Sequence, residues 1–86
     1  TRALAMEFAK TSLRVNAIAP AGVNTPLVRA FAVPADVDPA LMAPYMGFRG
    51  QAEADEVASL FAHLVSDDAR SLHGAVLSID NGVTAG

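Results

Sequence analysis

The chain has 86 residues, enough for one domain at most, and a domain of this size buries a comparatively small share of its surface. It carries a net charge of −3 without a basic run and has no cysteine, which argues against a nucleic-acid partner and excludes disulfide, thiolate and zinc-thiolate chemistry within it. Five prolines interrupt the apolar runs and no signal peptide is visible, so we expect a soluble, cytoplasmic protein with no membrane partner.

The apolar content is high for a chain this short. Hydrophobic residues make up 52% of it, more than a small free-standing domain needs. Either the chain forms oligomers, or it is part of a larger domain whose other parts cover the excess. The sequence starts at Thr1 rather than Met and reads as helix at once, so we favour the larger domain.

A helix and a strand are predicted first. Residues 1–10 predict a helix because every residue tolerates one and Leu4 and Phe8 share a face. Alternating side chains then predict a strand from Leu13 to Ala19, partly covered on both faces. Pro20 ends this strand, since it has no N–H for a ladder.

The middle of the chain is the least regular part. Residues 20–26 are predicted to form a loop, and residues 27–50 a longer irregular segment. Within it, Asp38-Pro39 predicts the cap and first turn of a short helix that runs through Met42. Pro44 and Gly47 are expected to break that helix. A long irregular segment inside a compact domain is usually functional, and often a lid, so we call residues 27–50 the lid.

The clearest predicted element is a helix over residues 52–66. Its apolar side chains form one helical stripe: Val57, Leu60, Phe61, Leu64 and Val65. Glu53, Asp55 and Glu56 lie in its first turns, where negative charge suits the helix dipole. Exposed turn residues Asp67-Asp68 follow.

A second strand closes the predicted order. It runs from Ala75 to Ile79, is apolar on both faces and ends at the turn pair Asn81-Gly82. The order helix, strand, lid loop, helix, strand predicts an α/β fold: the C-terminal part of a doubly wound parallel-sheet, Rossmann-like domain. In such sheets ligands bind beyond the carboxyl ends of the strands, which is where the loop after Pro20 lies.

Three stretches carry a resemblance to a known family. "RVNAIAPAGVNTPL", "TRALAMEFAK" and "DEVASLFAHLVSDDARSLHGAVLSIDNG" resemble, in order, a strand and loop, the helix before them, and the last helix and strand of short-chain dehydrogenases/reductases. The resemblance covers nearly all 86 residues. It implies that residues 1–86 are the C-terminal segment of a single Rossmann-like oxidoreductase domain, whose N-terminal cofactor-binding half and catalytic tyrosine–lysine pair lie upstream.

The same resemblance assigns the loop after the first strand to the cofactor. It implies that Pro20 and Ala21 line the nicotinamide ring of NAD or NADP, and that Gly22 belongs to the same cofactor-binding loop. It also implies that the Val23 backbone pairs with the carboxamide and that the Thr25 hydroxyl bonds the carboxamide or a phosphate. Glycine is usual at position 21, so Ala21 would be strained if its φ had to be positive. The alternative is a plain strand-ending turn in which Thr25 bonds the local backbone.

The lid supplies the candidate substrate residues. Met42, Tyr45, Met46 and Phe48 are expected to line the substrate pocket, although simple packing is the alternative for each. The family uses a Tyr-x-x-x-Lys pair for acid–base chemistry. Here the only tyrosine is followed four residues later by Arg49, so no catalytic residue is assigned within the chain.

The functional prediction is therefore an NAD(P)-dependent oxidoreductase. It would transfer a hydride between the nicotinamide and a small-molecule carbonyl or alcohol substrate, and it is expected to be a dimer or tetramer of one chain. The alternative is a non-catalytic α/β module that buries its apolar surplus by oligomerising. His63 and His73 are expected to be solvated or interface residues rather than metal ligands.

Overall fold

The architecture is a set of short helices around two parallel strand pairs. The computed structural model describes residues 1–85. In chain order, its helices and strands are α1 (Arg2–Glu7), β1 (Ala17–Pro20), β2 (Val23–Asn24), α2 (Pro26–Ala30), α3 (Ala43–Met46), β3 (Ala52–Glu53), α4 (Ala54–Val65) and β4 (Val76–Ile79). Two 3₁₀ turns, Pro39–Leu41 and Asp67–Ala69, complete it.

The sheet confirms the predicted α/β class. β1 pairs with β4 in parallel, in a register that places Ala17 opposite Val76 and Pro20 opposite Ile79. β2 pairs with β3, also in parallel. Parallel neighbours need a long crossover between them, and the lid and α4 supply it between β1 and β4. The carboxyl ends of β1 and β4 therefore lie at one edge of the sheet.

The first strand is shorter than expected. It was predicted from Leu13 but begins at Ala17, because polar groups before it pair with an irregular segment. The Asn16 side chain donates to the Leu72 carbonyl (2.9 Å) and accepts from the Ala75 N–H (3.0 Å). A side chain that occupies both partners replaces the regular ladder at this point. Pro20 still ends the strand, as its last residue.

The region predicted as irregular contains more structure than expected. Residues 20–26 include β2, and α2 begins at Pro26. The short helix predicted from Pro39 is a 3₁₀ turn that ends at Leu41, before Pro44. Pro44 itself lies in the first turn of a separate helix, α3, which was not predicted and where the missing N–H costs nothing. Gly47, with φ of 62°, does end α3. The cap at Asp38 is confirmed: its carboxylate accepts from the Ala40 N–H at 2.9 Å.

The long helix forms close to the predicted place. It starts at Ala54 rather than at residue 52, because Ala52 and Glu53 form β3. Glu53 and Glu56 make a capping box, in which the Glu53 N–H donates to the Glu56 carboxylate (2.6 Å). Of the predicted apolar stripe, only Leu64 is buried.

The chain leaves much apolar surface uncovered. Among residues 1–85, the buried apolar side chains are Ala5, Ala52, Leu64 and Ala69. A folded monomer of this mass is expected to expose about 4,800 Å², whereas the chain exposes 6744 Å². Its radius of gyration is 16.3 Å, against about 12 Å for a compact domain of this length. The surplus is large enough for a substantial protein interface.

Candidate cofactor and substrate site

The loop after β1 turns without strain. Among residues 1–85, the only non-glycine residue with a positive φ is Asn81, so Ala21 does not adopt the left-handed conformation considered for it. The absence of the usual glycine at this position is therefore compatible with the turn. Gly22 has a different role: a Cβ there would lie 3.2 Å from Cγ of Gln51, so glycine lets the two segments approach.

Val23 presents its backbone away from the neighbouring strand. The Ala52 N–H donates to the Gly22 carbonyl at 3.0 Å, and the register places Ala52 opposite Val23. In this parallel pairing, Ala52 bonds with the residues before and after Val23 and not with Val23 itself. Successive residues of a strand direct their N–H and C=O groups to opposite sides. The Val23 N–H and C=O therefore point away from β3, as one adjacent donor and acceptor.

Thr25 joins the loop to α2. Its hydroxyl oxygen accepts from the Val28 N–H at 3.4 Å and so caps the helix, as the local-turn alternative predicted. This bond uses one lone pair of the oxygen, and the hydroxyl proton remains available for a second partner.

Polar side chains whose role the sequence did not predict connect the loop to the neighbouring elements. The Asn24 amide donates to the Glu53 carboxylate at 3.2 Å, and Arg29 donates to the Asn24 side-chain oxygen at 3.5 Å. Glu53 also caps α4, so the contact ties β2 to the start of the long helix. The sequence signal was the acidic residue at that helix start, which was assigned to the helix dipole alone.

The lid forms an apolar pocket. Its lining residues are Val33, Pro39, Met42, Ala43, Met46, Gly47 and Phe48, around a volume of about 540 Å³. Three of the four predicted lid residues therefore come together. Tyr45 does not line the pocket, and its side chain is exposed.

A turn at the end of the chain, residues 80–84, holds the far end of the lid. The Asn81 amide donates to the Gly50 carbonyl at 3.0 Å. Gly47 lies so close to Val83 that a Cβ would come within 2.8 Å of a Val83 methyl group. The sequence identified Asn81-Gly82 as a turn but gave no sign of these contacts.

Asp80 organises that turn. Its carboxylate accepts from the Thr84 hydroxyl, from the Gly82 N–H (3.0 Å) and from the Thr84 N–H (3.1 Å). The bond from the Thr84 hydroxyl, followed by that from the Gly82 N–H, lowers the pKa of Asp80 below its ordinary value. The charged carboxylate is thus part of the turn's structure.

The two histidines take no part in the site. His63 is exposed on α4. His73 links two elements: its Nδ1 accepts from the Val15 N–H (3.2 Å), and its Nε2 lies 2.8 Å from the Ala5 carbonyl. Within the described part of the chain, no three potential ligand side chains cluster as a metal site would require. No helix among residues 1–85 has the length and apolar character needed to cross a membrane.

The sequence matches a family model over almost its whole length. Residues 1–84 match the model described as enoyl-(acyl carrier protein) reductase. The chain belongs to the short-chain dehydrogenase/reductase family. The resemblance noted in the sequence is thereby confirmed, as is the Rossmann-like class of the fold.

Curated relatives of this short-chain dehydrogenase/reductase include proteins named as dehydrogenases. Cis-4-hydroxycyclohexanecarboxylate dehydrogenase of Sinomonas cyclohexanicum is 44% identical over 85 residues, which are 99% of this chain and 33% of the relative. 3beta-Hydroxysteroid dehydrogenase 1 of Eggerthella lenta is 42% identical, over 98% of this chain and 32% of that protein. The chain spans about a third of the length of the curated relatives it matches.

Solved structures of the family superpose on the whole chain. 4-Hydroxyisoleucine dehydrogenase complexed with NADH has a TM-score of 0.74 at 29% identity, covering 100% of this chain and 34% of that one. A mutant of the same enzyme, complexed with NADH and succinate, has a TM-score of 0.78 at 32% identity, covering 100% and 35%. Acetoin dehydrogenase of Salmonella typhimurium reaches 0.73 at 29% identity, covering 100% and 33%.

Proposed function

We propose that this chain is the C-terminal part of an NAD(P)-dependent oxidoreductase that transfers a hydride between the nicotinamide and the carbonyl or alcohol carbon of a small molecule. The observation that carries the proposal is the loop of residues 20–25 at the carboxyl end of β1. Open parallel sheets bind ligands at this edge, and the loop directs backbone donors and acceptors outward there. Dehydrogenase relatives and NADH-bound structural neighbours support the same reaction class.

The residues of the loop fit a nicotinamide. A carboxamide has one donor group and one acceptor, and the Val23 N–H and C=O offer the complementary pair from a backbone that cannot reorient. The Thr25 hydroxyl has a proton to donate to the carboxamide or to a phosphate oxygen. Pro20, Ala21 and Gly22 would line the ring face. The proposal covers NAD and NADP alike, since no residue of this loop would contact the adenosine ribose.

The chain's own contribution is binding and orientation. When bound, the nicotinamide supplies or accepts the hydride. Residues 20–25 would hold the ring's amide in one orientation, and the lid would exclude water from the substrate side. The accompanying proton is assigned to the family's tyrosine–lysine pair, which we place outside these 86 residues, because Tyr45 is followed four positions later by Arg49.

The uncovered apolar surface supports further protein around this chain. Leu27, Phe31 and Val65 are among the exposed large apolar side chains, with 80%, 67% and 78% of their surface accessible. The remainder of the oxidoreductase domain and a second copy of it would cover such faces. We therefore propose a homo-oligomer for the full-length protein, in the dimer or tetramer range.

Thr25 gives the sharpest test of the cofactor assignment. In the full-length protein, Thr25→Val is expected to weaken nucleotide binding by about 1 kcal/mol, roughly fivefold in Kd, through loss of one hydrogen bond. Fluorescence titration with NADH and NADPH measures this. Thr25→Ser keeps the hydroxyl and should bind normally.

A matched control separates cofactor contact from helix capping. Asp38 also caps a short helical turn, but away from the loop, so Asp38→Ala removes a cap without touching the nucleotide. Its nucleotide Kd should not change. An unchanged Kd for Thr25→Val would remove Thr25 from the cofactor site.

A further inference from the structure

Three side chains form a hydrogen-bonded bridge beside the loop of residues 20–25. The Asn24 amide donates to the two carboxylate oxygens of Glu53, at 3.2 Å and 3.4 Å, and Arg29 donates to the Asn24 side-chain oxygen at 3.5 Å. Asn24 belongs to β2, Arg29 to α2, and Glu53 to β3 at the start of α4. The bridge therefore connects the loop both to the first helix of the lid and to the long helix.

An amide is the side-chain group that fits between these two charged partners. The guanidinium of Arg29 only donates hydrogen bonds and the ionised carboxylate of Glu53 only accepts them, whereas an amide does both at once. A carboxylate at position 24 would suit Arg29 but would face Glu53 with a like charge. An apolar side chain there would bond to neither partner. The two neighbours together therefore favour an amide at position 24.

Asn24 lies between the two residues that the proposed function assigns to the carboxamide, Val23 and Thr25. The strand register places it beside Glu53. Because successive residues of a strand direct their backbone groups to opposite sides, the Asn24 backbone faces β3 while that of Val23 faces away. The bridge to Glu53 thus holds the loop from the β3 side and leaves the outward-facing groups of Val23 free for a ligand.

The backbone pairing of the loop is short and gains from this bridge. β2 and β3 pair over two residues, Val23 with Ala52 and Asn24 with Glu53. A ladder of this length fixes its position only weakly, and the Asn24–Glu53 contact adds a side-chain bond at its last pair. Glu53 is itself held in place, since it shares a capping box with Glu56. The position of the loop is thereby tied to the start of α4.

We propose that Asn24 is a positioning residue for the nicotinamide end of the cofactor. By bridging Arg29 and Glu53, its amide fixes the loop backbone on either side of it without touching the nucleotide itself. This inference rests on the proposed function and adds to it a residue that acts through its neighbours. Since residues 20–25 would meet the nicotinamide and not the adenosine, loss of the bridge should weaken binding at the nicotinamide end alone.

Two ligands separate positioning from a general structural role. NADH carries the nicotinamide, whereas ADP-ribose has the same adenosine and pyrophosphate without it; NADPH and 2′-phospho-ADP-ribose form the matching pair. In the full-length protein, Asn24→Asp should raise the Kd for the nicotinamide nucleotide by about fivefold, because the new carboxylate repels Glu53 and the bridge is lost. The Kd for the ADP-ribose partner should stay within about twofold of the parent value. Calorimetric titration measures both.

Exchanging the two side chains tests the contact itself. When Asn24→Asp is combined with Glu53→Gln, an amide again donates to a carboxylate, so the Kd for the nicotinamide nucleotide should return to within about twofold of the parent. Glu53→Gln alone keeps an acceptor for the Asn24 amide and should bind more tightly than Asn24→Asp. Ser71→Asp adds the same charge at an exposed turn before β4 and controls for net charge. If Asn24→Asp does not fold, Asn24→Ala removes the bridge without a new charge and serves in the comparison of the two ligands.

The outcomes distinguish this inference from the proposed function. A folded parent protein that binds neither NADH nor NADPH contradicts both. If the parent binds a nucleotide, but loss of the bridge weakens the nicotinamide nucleotide and its ADP-ribose partner equally or weakens neither, the positioning role of Asn24 is wrong and the oxidoreductase assignment stands. A double variant that binds no better than Asn24→Asp would show that the contact with Glu53 does not position the loop.

Discussion

The sheet region and the lid are both rich in apolar residues, but they differ in how the rest of the chain holds them in place. In the sheet region, β1 and β4 pair over four residues. Arg14 and Asn16 donate long-range hydrogen bonds beside this pair, and the His73 ring accepts one from the Val15 N–H. In the lid, none of residues 27–50 is buried, and the segment is fixed mainly at its ends. Apolar side chains in the first region pack on the scaffold. Several of those in the second surround an open pocket.

The largest effect is expected in the scaffold. Leu64 is the one large side chain of α4 that is buried, 8% exposed, so Leu64→Ala should cost about 2–4 kcal/mol of unfolding free energy through lost burial and the cavity left behind. Denaturant unfolding of the full-length protein measures this. His63→Ala, one position earlier and exposed, should stay within about 0.5 kcal/mol of the parent. Similar losses for both variants would contradict the distinction between the buried and exposed faces of α4.

Regular patterns made the scaffold predictable from sequence. The apolar stripe that includes Leu64 predicted α4 to within two residues. Alternation predicted the first strand of the parallel pair, and a short run that is apolar on both faces predicted the second. The start of β1 was missed because Asn16 replaces ladder bonds with side-chain bonds, which periodicity does not register. A single polar residue at a strand entrance is compatible with either arrangement.

The lid was less predictable, for a physical reason. Its short helices depend on contacts rather than on a repeating pattern: Pro44 starts a turn instead of breaking one, and Gly47 is matched to Val83 from the opposite end of the sequence. The pocket residues Met42, Met46 and Phe48 were identified from the family resemblance and their apolar character. Only the three-dimensional structure shows that Tyr45 lies outside the pocket.

A smaller effect should appear at the end of the lid. Gly47 has φ 62° and ψ 178°, a region essentially restricted to glycine, and its position leaves no room for a Cβ beside Val83. Gly47→Ala is expected to cost about 1–3 kcal/mol and to raise KM more than it lowers kcat, because the pocket wall moves. Thermal unfolding and steady-state kinetics measure the two effects.

Gly50 provides the comparison for that variant. It also has a positive φ, 77°, but an added Cβ would meet nothing within 4 Å, so Gly50→Ala reports backbone strain alone. Gly47→Ala should be the more damaging change, and adding Val83→Ala should recover the difference between them. If Val83→Ala gives no recovery, the contact between the C-terminal turn and the lid does not position the pocket.

The smallest effect concerns pH and the same turn. The bonds from Thr84 and Gly82 lower the pKa of Asp80, so the folded turn favours the charged carboxylate. A lowered folded-state pKa contributes stability that is present above the unfolded value, about 3.9, and is lost as the pH falls through the folded value. Carboxyl-carbon NMR of the full-length protein should show Asp80 titrating below that value. Thr84→Val removes the largest cause and should raise the Asp80 pKa toward the ordinary range. An Asp80 pKa that is normal in the parent and unmoved in Thr84→Val would mean that the turn, and with it this attachment of the lid, does not depend on the carboxylate.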